Sequence, residues 1–130
     1  MSYGYSSRSE ERLMTCDPRL IELFSEVIAI VDNSIICGYR TAQDQNAAYD
    51  SGNSTVKWPD SKHNESPSKA VDVTPYPTMW DSTEQFYYLA GVVFAVAQRQ
   101  GVKIRWGGDW DRDHDFEDQK FMDLGHFELV

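Results

Sequence analysis

The stretch Ser61-Lys62-His63-Asn64-Glu65-Ser66-Pro67-Ser68-Lys69-Ala70-Val71-Asp72-Val73-Thr74 passes from a polar loop into a short β-branched run. Residues 52–69 are rich in Ser, Asn, Lys, Pro and Gly, and a long irregular segment inside a small domain is often functional. Ala70–Thr74 reads as a strand, closed by Pro75 and Pro77. Alternation along it turns Ala70 and Asp72 to one face and Val71 to the other. A carboxylate at that position needs a partner, unless it only ends the strand on a solvated edge.

Upstream, residues 1–12 are polar and mixed in charge, and a loosely held arm is expected there. Asp17-Pro18 offers an N-cap followed by proline at the first helical position, and Leu20, Leu23, Phe24, Val27, Ile28 and Val31 recur at helical spacing. Ser34–Arg40 reads as a strand. Thr41 with Asp44 resembles a capping box and opens a short helix to about Tyr49, which Gly52 can terminate. Downstream, Thr83–Gln100 places Phe86, Leu89, Ala90, Val93, Phe94 and Ala97 on one stripe, with Gly101 as C-cap. A strand over Val102–Trp106, an acidic loop and a last strand over Gly125–Val130 complete the order. No repeat interrupts it, so residues 1–130 are expected to form one α+β domain, with helices packed on an antiparallel or mixed sheet.

The 130 residues carry 21 acidic against 12 basic side chains, a formal charge of -9. That balance offers no source for the phosphate neutralisation that drives nucleic-acid binding, and it disfavours anionic membrane surfaces. No apolar run approaches the roughly 20 residues of a spanning helix. The first residues lack an apolar segment behind a basic start, so no secretory signal is read and synthesis in a cytoplasm is expected. In a reducing compartment Cys16 and Cys37 are expected to be buried free thiols.

The chain has 3 histidines, His63, His114 and His126. A catalytic zinc site takes three nitrogen or oxygen ligands and leaves a position for water; two histidines and one aspartate fit. Asp123 precedes His126 on a D-x-x-H spacing, and in a straight strand that odd offset would separate the two side chains. They converge only if the chain bends near Gly125, where glycine permits it. A carboxylate beside the metal could carry the proton of the attacking water to the leaving amine. Arg40 could bind a substrate carboxylate or an oxyanion, although an isolated arginine is more often a surface ion-pair partner. The stretch Asp109–Asp118 alternates acids with other residues but lacks the glycine and terminal glutamate of an EF-hand. A solvated loop is its default reading, with calcium on Asp109, Asp111, Asp113 and Asp115 as the alternative; His114 is left unassigned.

The order S-x-H, A-x-D, W-G-G-D-W and D-x-x-H-F-E resembles the D-alanyl-D-alanine metallopeptidases, which share a zinc scaffold with lysostaphin-type peptidases and the hedgehog domain. Within that group the chain looks most like the small phage L-alanyl-D-glutamate peptidases, over Thr15 to Val130, with G-Y-R-T at Gly38 and P-Y-P at Pro75. The resemblance implies one Zn2+ held by His63, Asp72 and His126, Asp123 as general base and acid, Arg40 at the substrate or transition state, and Ser61 in support. It also implies an endolysin that acts as a monomer on the peptidoglycan stem peptide after release from the host cytoplasm. Some members respond to Ca2+. Two departures stand out. Asp72 follows His63 by nine positions where many members have seven, which an outward bulge of the loop can absorb. The catalytic acid is aspartate where the dipeptidase branch has glutamate. A D-alanyl-D-alanine carboxypeptidase and a non-catalytic zinc-scaffold binding domain are the competing readings.

Overall fold

The computed structural model describes residues 3–117 and 122–130. Its elements are α1 (Ser7–Leu13), α2 (Pro18–Ile30), β1 (Asn33–Cys37), α3 (Ala42–Asp50), a single 3-10 turn at Lys62–Asn64, β2 (Ala70–Pro75), α4 (Thr83–Gln100), β3 (Ile104–Gly107) and β4 (Asp123–Leu129). The four strands form one sheet in the order β1-β2-β4-β3, and every neighbouring pair is antiparallel.

The sheet has two chemically different faces because its strands alternate. Val71 and Val73 of β2, Phe127 and Leu129 of β4 and Trp106 of β3 point into a core completed by Leu20, Leu23, Phe24 and Val27 of α2. α4 adds Leu89, Ala90, Val93, Val96 and Ala97. Phe24 and Phe127 meet edge to face at 5.7 Å, a favoured aromatic geometry. The other face carries Asp72, His126 and Glu128, and His63 of the 3-10 turn meets Asp72 there. The stripe on α4 differs from its sequence reading at one place: Val96 is buried, while Phe94 lies at the margin with its ring against Trp106.

The N-terminal segment is not a loose arm. Residues 7–13 form α1, capped by the Ser6 side chain, and this helix covers the open edge of β1. Ser9 Oγ accepts from the Ile35 N–H at 3.0 Å, and Arg12 donates to the Ile35 carbonyl at 3.1 Å. An uncovered edge strand exposes unpaired backbone groups, and these two side chains satisfy them at the middle of β1. The polar composition that suggested disorder is thus the edge-capping chemistry. β1 also stops at Cys37 rather than Arg40, because the next N–H groups bond elsewhere: Tyr39 to Thr15 Oγ1 and Arg40 to the His63 carbonyl.

Asp17 joins the N-terminal half to the loop before β2. Its Oδ1 accepts from the Arg19 N–H at 2.9 Å as the α2 cap, its Oδ2 accepts from Lys69 Nζ at 2.7 Å, and its own N–H bonds Ser68. Hydrogen bonds from Arg19 and then Lys69 hold its carboxyl well below the usual aspartate range. A folded value below the unfolded one gives stability that is present above about pH 4 and lost as the pH falls through the folded value. Asp17→Ala should therefore cost about 1–2 kcal/mol at neutral pH, and denaturant midpoints measured at descending pH should show the gap from wild type closing below about pH 4.

Candidate metal centre and active site

Asp72 on β2 lies directly opposite His126 on β4, so antiparallel pairing sets both side chains on the same face. Asp123 joins them through a slip in the ladder. Trp106 pairs with Phe127, yet the next β3 residue, Gly107, pairs with Asp123. Leu124, Gly125 and His126 therefore bulge relative to β3, which offsets the odd spacing that would separate Asp123 from His126. Gly125 is needed in this bend, since a Cβ there would lie 2.4 Å from the Val73 carbonyl oxygen. The donor atoms of Asp72, Asp123 and His126 all fall within 4.8 Å of one another.

His63 arrives from the loop side on the 3-10 turn. Ser61 Oγ accepts from the His63 N–H at 3.2 Å, and Asn64 Oδ1 accepts from the Ser61 N–H at 3.1 Å, a reciprocal cap. The turn is clipped to residues 38–40: Arg40 N–H donates to the His63 carbonyl, Asn64 Nδ2 donates to the Arg40 carbonyl, and His63 Nδ1 reaches the Gly38 carbonyl at 2.7 Å. The Arg40 guanidinium is held between Asp72 Oδ2 and Gln45 Oε1, each at 3.0 Å.

The donor set fits a metal ion. A carbonyl can only accept, so His63 Nδ1 carries a proton toward Gly38, and Nε2 then faces Asp72 Oδ1 at 3.2 Å. His126 repeats the arrangement, with Nε2 at 2.8 Å from Glu128 Oε1 and Nδ1 at 3.1 Å from the same Asp72 oxygen. Each buried imidazole therefore meets an acceptor at both nitrogens, and only a second proton or a cation between the rings and Asp72 can satisfy that. In protons alone, burial works against the charged His63, but the Asp72 carboxylate outweighs it and pushes the ring up to about 10. His126 rises despite burial, through its bonds to Asp72 and Glu128. Asp72 is driven low despite burial by the His63 charge and the His126 bond. One divalent cation could replace both inner protons and leave the outer N–H groups on Gly38 and Glu128, as metal-bound histidines are usually oriented. Two imidazoles and one carboxylate are a zinc donor set.

Asp123 behaves differently from Asp72. Burial, and then the Asp72 charge, raise its carboxyl, which favours a group that takes up a proton. A groove leads to this point, lined by Asn53, Ser54, Thr55, Ser61, Lys62 and Trp110 beside Arg40, His63, Asp123 and His126. Trp110 lies at 5.2 Å from His126, centroid to centroid.

Every residue named from the sequence for zinc and proton transfer thus lies in one place, with Ser61 and Arg40 bracing it. Three neighbours were missed. Glu128 is buried, bonds His126 and is flanked by Arg105 Nη1 at 3.4 Å and Lys62 Nζ at 3.6 Å; strand alternation, which puts His126 and Glu128 on one face, could have found it. Gln45 is fully buried beneath Arg40 and also donates to Ser54 Oγ and the Val56 carbonyl, a role that nothing in its local sequence announces. Cys37 is half-buried rather than buried, with Sγ within 4.8 Å of the donor atoms of His63 and Asp72. In the acidic loop, Asp109, Asp111 and Asp113 bring oxygens within 4.8 Å of one another. Asp109 accepts from the N–H groups of Asp113 and His114, and Asp115 Oδ1 accepts from the Glu117 N–H outside that group. Asp118, part of the same stretch, lies outside the described residues.

The model of the family "Phage L-alanyl-D-glutamate peptidase" matches residues 1–130. An L-alanyl-D-glutamate peptidase of Escherichia phage T5 is 29% identical over 138 residues, covering 100% of both chains. The Serratia marcescens L-Ala D-Glu endopeptidase ChiX superposes with a TM-score of 0.76 at 26% identity, covering 98% of this chain and 90% of that one.

The Glu128–His126 pair has a direct consequence. Glu128→Ala should weaken any divalent-cation binding at these donors roughly 10–100-fold, measured with zinc by competition with a chromogenic chelator on metal-free protein. Glu128→Gln still accepts from Nε2 and should fall between the two.

Proposed function

The chain belongs to the phage L-alanyl-D-glutamate peptidase family, and on that premise we propose that it is a zinc-dependent endolysin cleaving the L-alanyl-D-glutamate bond of the peptidoglycan stem peptide. The observation that carries this reading is the convergence of His63 Nε2 and His126 Nδ1 on one oxygen of Asp72, with Asp123 beside them. His63, Asp72 and His126 would hold the ion. Zinc held there would supply Lewis acidity to water and to the scissile carbonyl.

The protein's own groups do the rest. Asp123, with its raised carboxyl, takes the proton of the attacking water and returns it to the departing D-glutamate nitrogen. Arg40, fixed by Gln45 and Asp72, sets a positive charge beside the reacting centre, where negative charge develops on the carbonyl oxygen. Ser61 and Asn64 hold the His63 turn, and Glu128 fixes the His126 ring. A calcium ion, if taken up, would meet Asp109, Asp111 and Asp113 rather than Asp115.

No described helix is long and apolar enough to cross a membrane. We place the protein's action at the wall, as a monomer released from the host cytoplasm.

Digestion of purified peptidoglycan should expose new D-glutamate amino termini. Release of free D-alanine instead would mark a carboxypeptidase, and no product from zinc-loaded protein would mark a binding domain. Chelation should abolish cleavage and added zinc restore it. Asp123→Asn should keep its zinc while kcat falls by about 10²–10⁴; full activity in a zinc-loaded Asp123→Asn protein would remove Asp123 from proton transfer.

A further inference from the structure

The groove described above is only one of two clefts that meet at Asp123. A second cleft that also reaches Asp123 is lined by Ile36, Trp80, Phe86, Met122 and Leu124 together with Asp72 and Gly125. Trp80 is the most exposed large apolar side chain among the described residues, at 66%. Single exposed hydrophobics are ordinary. Here, however, Ile36, Trp80 and Met122 are all exposed and converge on one cleft, and a clustered apolar patch beside a reactive group marks a contact surface. Trp80 is also preset. It stacks on Phe86 at 6.0 Å and 25°, and Phe86 is buried in the first turns of α4, so one ring face is braced and the other is open to a ligand.

The two clefts differ as the two flanks of the bond do. The first groove is polar, its Asn53, Ser54, Thr55 and Ser61 joined by the cations Arg40 and Lys62 and the acids Asp60 and Glu128, which suits the mixed carboxylate and ammonium groups on the D-glutamate and diamino acid side. The other flank carries the alanine methyl, the lactyl and acetamido methyls and the CH face of a sugar ring, and the second cleft offers apolar surface and an aromatic plane. We infer that the Trp80 cleft receives the N-acetylmuramyl-L-alanine flank of the substrate, with Trp80 as the platform for the sugar. This fixes the direction in which the strand crosses the site. It rests on the cleavage reading given above.

The test compares two substrates with the same peptide, one bearing the N-acetylmuramyl group and one with a free alanine amino terminus. Wild-type kcat/KM should favour the muramyl substrate, and Trp80→Ala should reduce that preference roughly tenfold, the scale of one aromatic contact. Trp80→Phe should restore part of it. Zinc content equal to wild type shows that the centre is intact in both variants. Cleavage by wild type with no preference, or with a preference that Trp80→Ala leaves in place, overturns this inference alone. Failure of zinc-loaded wild type to cut either substrate overturns the cleavage reading and the inference with it.

Discussion

One carboxylate oxygen, Asp72 Oδ1, faces two buried imidazole nitrogens, and the rest of the structure can be understood as the means of bringing those three groups together. None of them could be buried alone without a large desolvation penalty. Asp72 and His126 need only a sheet, because antiparallel partners share a face. His63 needs more, since a loop has no register. Its position comes from the hydrogen bonds that tie the Lys62–Asn64 turn to residues 38–40 and from the Ser61 cap. The hydrophobic layer on the opposite face then makes the sheet rigid enough for these placements to hold.

Charge is distributed with the same economy. The chain is strongly acidic, yet two carboxylates of the site face cations: Arg40 bonds Asp72, and Lys62 and Arg105 flank Glu128. Asp123 has no such direct ion pair among the described residues, and its carboxyl moves up where those of Asp72 and Glu128 move down. Neighbouring carboxylates thereby acquire different protonation behaviour from their surroundings, the separation that one ligand and one proton carrier require.

Much of this was legible in the sequence because it rests on periodicity. The stripe of α2, the alternation of Val71, Asp72 and Val73, and the glycine that ends α4 are local patterns, and the structure keeps them. Asp123 and His126 could be joined only through a bend, and Gly125 marked where it would fall. Glu128 was equally local, two residues from His126 on one strand face, and was missed; the other two failures have a common cause. α1 and Gln45 owe their importance to what they meet across the fold: an open strand edge and a guanidinium. A polar residue that satisfies a distant backbone group looks the same in sequence as one that faces water. The Ser9 hydroxyl on the Ile35 N–H is the plainest case.

The nine-residue interval between His63 and Asp72 shows why spacing is a weaker constraint than anchoring. The Lys69 N–H bonds the Lys62 carbonyl at 3.0 Å, and the Ser68 N–H bonds Thr15. These bonds close the segment between them into an outward loop, and Glu65, Ser66 and Pro67 at its crest are exposed. Residues added at that crest lengthen the path without moving its ends, and the closure entropy of a loop grows only slowly with length. His63 stays fixed by Gly38 and Arg40, and Asp72 by its strand. The loop can therefore change in length while the three donor groups keep the same relation, because the position of each is decided by hydrogen bonds that do not run along its crest.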